Sequence, residues 1–131
     1  MVSKVKVIGY ESRLAADFAL LNYQWINEYF SVEEEDRKAL DAPKDYAILS
    51  GGNIFFVMED DDPVGTVAMV PVMASSSQTE SVFELAKMAV RPDKRGKGYG
   101  SLLVNRCISF AREKDAKEIM LVTNDALKPA L

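Results

Sequence analysis

The chain has 131 residues, 48% apolar and 27% charged, with a formal net charge of −4. That length holds one domain and excludes two; the acidic balance argues against nucleic acid as a partner, which needs a basic face, and suits a cationic ligand. A single cysteine, Cys107, excludes an intrachain disulfide, and the lack of any histidine excludes His-based acid/base catalysis, His-dependent triads and most zinc sites.

Residues 2–10 alternate apolar and charged side chains and read as a half-buried edge strand, without the apolar segment of a signal peptide. Leu14, Phe18, Leu21, Trp25 and Tyr29 recur every three or four positions, which predicts a helix over 12–30. Ser31-Val32-Glu33-Glu34 fits a capping box and predicts a second helix over 32–40, ended by Pro43. The acidic run 33–36 reads as its solvated first turn, where negative charge is favoured. Beyond a turn at 50–53, strands at 54–59 and 64–73 flank a hairpin turn, Asp60-Asp61-Asp62-Pro63. These aspartates lack the later Gly and Glu of a calcium loop, so they read as a turn, and no metal is expected. A loose loop around Ser75, Ser76 and Ser77 leads to a strand over 82–90, completing an antiparallel meander. Period-two alternation puts Val82, Glu84, Ala86, Met88 and Val90 on one face of that strand, with Glu84 its only charge and Lys87 on the opposite face.

Arg95-Gly96-Lys97-Gly98-Tyr99-Gly100 then joins this strand to an amphipathic helix over 101–114. Strand, basic glycine turn and helix start together suit a phosphate: glycines let amides approach an anion, and the helix start offers unpaired N–H groups. The spacing is neither a Walker loop nor a dinucleotide fingerprint. A plain solvated turn is the alternative on the glycines alone. Along the helix, Leu103, Val104, Cys107, Ile108, Phe110 and Ala111 share one face, opposite Asn105, Arg106, Ser109, Arg112 and Glu113. Cys107 therefore reads as a small buried apolar residue and not as a nucleophile. A further strand over 118–124 is expected parallel to the strand over 82–90, because a helical crossover joins them. No apolar run approaches the roughly 20 residues that span a membrane, so no membrane partner and a cytoplasmic location are expected.

The pattern Arg95-x-x-Gly98-x-Gly100, set after Val90-Arg91-Pro92, resembles the acetyl-CoA pyrophosphate loop of the Gcn5-related N-acetyltransferases (GNAT). The flanks resemble that family's fourth strand (from Phe83 to Val90) and fifth strand (from Glu118 to Asn124). The resemblance implies an α/β (α+β) fold: a mainly antiparallel sheet with strands four and five parallel and helices on both faces. It implies acetyl-CoA as co-substrate and transfer of its acetyl group to a primary amine, by direct attack in a ternary complex. Arg95, the amides of Gly96, Lys97, Gly98, Tyr99 and Gly100, and the Ser101 hydroxyl would hold the pyrophosphate. Tyr99 would lie on the surface near the cofactor. Met88, Ala89 and Val90 would line the pantetheine arm, with Met88 N–H on the thioester oxygen. Glu84 would be the general base; on the residues alone it is equally a strand carboxylate paired with a neighbour. Asn124 would contact the cofactor or order the next helix; on sequence alone it is a helix N-cap. The acceptor, an amine-bearing small molecule or a peptide or protein amine, is expected between the first two helices and the fourth strand. Trp25, Tyr29 and Phe30 are candidates there, though each also reads as core.

Where the family continues through a helix carrying a tyrosine and two more strands, this chain ends at Leu131. It reads as one acetyl-CoA-binding domain, 1–131, without that helix and those strands. The exposed fifth strand is then an association hazard, and a homodimer is one way to cover it. The alternative function is a non-catalytic acyl-CoA-binding or regulatory module; a third is an interaction protein whose glycine turn binds nothing.

Overall fold

The computed structural model describes residues 4–72 and 81–121. β1 (Val5–Gly9), β2 (Asn53–Glu59), β3 (Asp62–Pro71), β4 (Val82–Val90) and β5 (Glu118–Leu121) form one sheet in chain order. The first four pair antiparallel, whereas β4 and β5 run parallel from Val82↔Glu118 to Leu85↔Leu121. Between them α3 (Tyr99–Glu113) supplies the crossover that a parallel pair requires. α1 (Ala15–Tyr29) follows a single 3-10 turn, Ser12–Leu14, and α2 (Glu34–Asp41) leads to a π-helical turn, Lys44–Ile48. This is the mixed α/β fold expected from the sequence.

Both sheet faces are covered, so β2 reads as a continuous apolar run whose alternate residues enter different cores. Phe55 and Val57 pack with Val67, Phe83, Leu85, Leu103, Cys107 and Phe110 on the α3 face. Ile54, Phe56 and Met58 pack with Leu14, Phe18, Leu40 and Ala68 on the α1–α2 face. Phe110 is the pivot of the first core, meeting Phe55 and Phe83 edge-on at 5.7 and 5.3 Å. Such pairs add about 1 kcal/mol beyond the area they bury.

Several boundaries differ from expectation for physical reasons. The second helix starts at Glu34, because Glu33 and not Ser31 closes its first turn: Glu33 N–H donates to Asp36 Oδ2 at 2.9 Å. The hairpin turn is only Asp60 and Asp61, with Asp60 at φ 55°, so Asp62 and Pro63 already belong to β3. α3 starts two residues earlier than expected, at Tyr99. The expected loop at 75–78 and the end of the fifth strand, including Asn124, lie outside the described residues.

Candidate functional site

The glycine loop leaves β4 through a 3-10 turn, Pro92–Lys94, and delivers the chain to the start of α3. Gly96 and Gly98 adopt φ 82° and 85°, the left-handed region that L side chains rarely tolerate. Gly98 caps the helix, and the first bond inside it runs from Leu102 N–H to Gly98 O at 3.2 Å. The N–H groups ahead of Leu102 are therefore not spent on helix bonds, and they share the positive end of the helix dipole. Gly100 needs no positive φ, and a Cβ there would meet nothing within 4 Å beyond its chain neighbours and the helix's own backbone. Its smallness is explained by neither backbone strain nor crowding within the protein. Open space at Gly96, Gly98 and Gly100, beside the unpaired amides of a helix start, leaves room for a phosphate, so the residues present would fit the pyrophosphate of acetyl-CoA.

A carboxylate missed in the sequence reading fixes this loop. Glu59, at the end of β2, accepts from Lys94 Nζ at 2.8 Å and from the Tyr99 hydroxyl, holding the chain just before Gly96 and just after Gly98. The Lys94 ammonium, with the Tyr99 hydroxyl adding to it, holds the Glu59 carboxyl below the usual carboxylate range; the same bond pushes the Tyr99 phenol up. Tyr99 is thus not on the surface. It is buried in the α3-face core, because its hydroxyl reaches inward to Glu59. The only sequence signal was Glu59's place at a strand end, which does not identify a partner 40 residues away.

The basic residues around the loop are mostly neutralised. Arg91 pairs with Asp62 at 2.9 Å and Asp93 at 2.8 Å, Lys94 with Glu59, and Arg95 with Glu28 at 2.8 Å. Among the described residues Lys97 has no ion pair, and it sits between Gly96 and Gly98 with its side chain exposed. Arg95 also donates from Nε to Val90 O at 3.1 Å and lies 4.7 Å over the Trp25 ring. Trp25 is therefore not only core packing, though it also borders the α1–α2 core together with Phe30; the Tyr29 side chain is outside the described set.

β4 breaks its own period. Thr66 pairs with Ala89 and Ala68 with Ala86, so Val67 alone faces two residues, Lys87 and Met88. Lys87 takes φ 55°, a strained value for a non-glycine residue. This bulge inverts the alternation beyond it. Met88 and Val90 send their side chains into the α3-face core, alongside Phe83 and Leu85, and so do not share a face with Glu84. Lys87 instead points to the α1–α2 side, where Nζ pairs with Asp36 Oδ1 at 2.7 Å. The sequence expectation for both faces fails beyond Ala86, because strict alternation holds only in a regular strand. It also makes Asp36 a partner of the sheet and not part of a freely solvated helix start.

The bulge does more for the backbone. Arg91 N–H donates to Val64 O at 2.8 Å, on the β3 side. By alternation, the N–H and C=O groups of Val90 and Met88 turn the other way, toward β5. There the paired part of β5 faces only Val82 to Leu85. Among the described residues, the far half of β4 thus presents an open backbone edge, and the glycine loop lies at its end.

On the α1–α2 side, the half-buried Glu84 carboxylate receives no hydrogen bond or ion pair from the described residues. Tyr46, in the π-helical turn, lies near it: burial raises the phenol pKa most, and the Glu84 and Asp36 charges raise it further. Nothing periodic marks 43–49 in the sequence, so Tyr46 was missed. An open pocket of about 480 Å³ between α1 and the β2–β3 hairpin, lined by Asp17, Leu20, Gln24, Asn27, Asp62 and Arg91 among others, includes neither Glu84 nor Tyr46. Cys107 is buried, and burial pushes its thiol up to about 12, as befits a packing residue. No group of three or more metal-ligating side chains occurs among the described residues, and no helix there is long and apolar enough to cross a membrane.

A mixed sheet whose last two strands run parallel, joined through a glycine loop and α3, defines a mixed α/β domain. The family model described as "Acetyltransferase (GNAT) family" matches residues 20–131, and the chain belongs to that family. An uncharacterized N-acetyltransferase of Methanocaldococcus jannaschii is 35% identical over 68 residues, 51% of this chain; the match spans only 30% of that relative's length. Among solved structures, a GNAT-family acetyltransferase of Staphylococcus aureus is similar over 97% of this chain and 78% of its own, at 20% identity and TM-score 0.82. A protein of Clostridium acetobutylicum described as a predicted acetyltransferase, solved with acetyl-CoA, is similar over 96% of this chain and 85% of its own, at 15% identity and TM-score 0.78. At such identities the likeness shows the fold.

Proposed function

We propose that this chain is a single acetyl-CoA-binding domain that moves an acetyl group to a primary amine by direct attack in a ternary complex. The observation that carries this reading is Gly100, small where neither backbone nor packing requires it, in front of the unpaired amides of a helix start. Amides of Gly96, Lys97, Gly98, Tyr99 and Gly100 hold the pyrophosphate, with the Lys97 ammonium and the Ser101 hydroxyl beside them. The open edge of β4 at Met88, Ala89 and Val90 takes the pantetheine arm, which bonds to that edge as an added strand would. Met88 N–H donates to the thioester oxygen as the carbonyl becomes tetrahedral.

Glu84 takes the proton that the acceptor ammonium must lose before its nitrogen can attack the carbonyl carbon. The C–N bond forms as the carbonyl becomes tetrahedral; the C–S bond then breaks, and the surplus proton on the new amide nitrogen goes to the departing thiolate, which leaves as the cofactor thiol. Bond alternation supports this division of labour: Glu84's side chain and the amides of Met88 and Val90 belong to one strand yet face different sides of the cleft. The acceptor is an amine-bearing small molecule or a peptide or protein amine, approaching from the α1–α2 side past Tyr46 and Glu84. Asn124 keeps its proposed role beside the cofactor.

Calorimetric titration of acetyl-CoA into the purified chain tests the reading. Micromolar binding that disappears in Gly98→Val supports it; a folded chain without affinity for acetyl-CoA overturns it. Binding with no acetyl transfer to any of a panel of amines would favour the non-catalytic module.

A further inference from the structure

Arg95 stands at the start of the phosphate loop, yet its guanidinium faces away from the loop amides. Nε donates to Val90 O at 3.1 Å, and Nη1 to Glu28 Oε2 at 2.8 Å. The planar group lies 4.7 Å over the Trp25 ring. Nη2 has less than 1 Å² of accessible surface and no hydrogen-bond partner, so a phosphate oxygen cannot reach it unless the stack opens. A guanidinium is a rigid fork, and two of its three nitrogens are already engaged with protein. Val90 O belongs to the open edge of β4, and Glu28 and Trp25 belong to the last two turns of α1. One side chain thus ties the two walls of the cleft at the point where the loop begins.

We propose that Arg95 is a positioning residue: its guanidinium joins α1 to the arm-binding edge of β4 and sets the width of the cleft, while the loop amides and Lys97 hold the phosphates. This rests on the acetyl-CoA reading above, and it separates the two halves of that ligand. Loss of the tie lets α1 and β4 move apart, which affects the arm far more than the pyrophosphate.

The test compares acetyl-CoA with ADP, which carries a pyrophosphate but no pantetheine arm, in wild type, Arg95→Gln, Arg95→Lys and Glu28→Gln. Trp25 is the only tryptophan, so its emission reports the stack directly. In all three variants acetyl-CoA affinity is expected to fall by about tenfold, the scale of one charge-assisted hydrogen bond, while ADP affinity stays within about twofold. Trp25 emission shifts in both Arg95 variants, and the Arg95→Gln/Glu28→Gln double variant binds acetyl-CoA no worse than Arg95→Gln. ADP binding lost in Arg95→Gln but restored in Arg95→Lys, with Glu28→Gln silent, would make Arg95 a phosphate ligand and overturn the proposal alone. A wild-type chain that binds neither ligand overturns the acetyl-CoA reading and this proposal together.

Discussion

The two sides of the β4 cleft are built from different materials. On the loop side the groups proposed to work are backbone: unpaired amides at the start of α3, a turn with Gly96 and Gly98 at positive φ, and a bulged strand whose far half is unpaired toward β5 among the described residues. On the α1–α2 side they are side chains gathered from distant segments: Glu84 from β4, Tyr46 from the π-helical turn, and the Asp36–Lys87 pair. A backbone site is stiff, tolerates side-chain change except where glycine is required, and suits a ligand part that does not vary. A side-chain site can be altered one residue at a time without touching the fold, which suits the variable partner of a transfer reaction. Substitutions on the first side should therefore change binding of the common ligand; those on the second should change turnover.

The largest effect is expected within the glycine loop, where two glycines should separate fold from binding. Gly98→Val forces a β-branched residue to φ 85°, costing about 1–3 kcal/mol of strain. Acetyl-CoA binding should vanish and the melting temperature should fall. Gly100→Gln instead enters a helix turn with open space around it, so stability should hold or rise, by up to about 1 kcal/mol. Acetyl-CoA affinity should nevertheless collapse, because the new side chain stands where the phosphates would lie. Calorimetry and thermal melts on both variants check this. If Gly100→Gln binds acetyl-CoA like wild type, the open space there has no ligand to hold.

Next in size, Glu84→Gln should slow acetyl transfer by about 10²–10³-fold, the range for removing a general base, at unchanged acetyl-CoA affinity. Transfer rates over pH 6–9 alongside calorimetry would show it; an equal loss of affinity and rate would move Glu84 to the loop side of the comparison.

The unequal legibility of the two sides has a physical cause. Backbone devices leave local marks: the glycines at 96, 98 and 100 declare a turn and a helix start within six residues, and the period of 103–111 declares what the helix buries. The core face of α3 was accordingly readable down to Cys107. Side-chain devices join residues far apart, so the partnerships of Glu59 with Tyr99, Asp36 with Lys87 and Arg95 with Glu28 left no local trace. The β4 bulge fell between these cases. Nothing in Ala86-Lys87-Met88 breaks the alternation, since the extra residue is taken up by an ordinary lysine at φ 55° where a glycine would have announced it. One inserted residue then reversed every side-chain direction beyond it, and with them the expected placement of Met88, Val90 and Lys87.

A smaller effect is expected from Glu59→Gln, which weakens the brace of Lys94 and Tyr99 without altering the loop's own residues. Because the folded state holds Glu59 below its ordinary range, its contribution to stability is present above the unfolded carboxyl pKa and is lost as pH falls through the lower folded value. The variant should melt lower than wild type at pH 7, with the gap closing in acid. Acetyl-CoA affinity should drop by less than in Gly98→Val, because the amides remain while their alignment relaxes. Equal melting temperatures at pH 7 would show that the glycine turn holds itself.

The smallest effect sharpens the other side. Burial alone would raise the Asp36 carboxyl, but its hydrogen bonds to Lys87 and Glu33 N–H outweigh burial and hold it below the usual range. The sign is that of Glu59: stability from this pair is present above the unfolded carboxyl pKa and fades as pH falls below it. Asp36→Asn should therefore cost a little stability at pH 7, with a flatter acid limb, and leave acetyl-CoA affinity unchanged. The variant frees the Lys87 ammonium on the face that carries Glu84, where the acceptor ammonium is proposed to dock, so the Michaelis constant for the amine should rise while that for acetyl-CoA does not. A rise in both would mean that the α2–β4 tie also holds the bulge open for the thioester, and that the two walls are not independent.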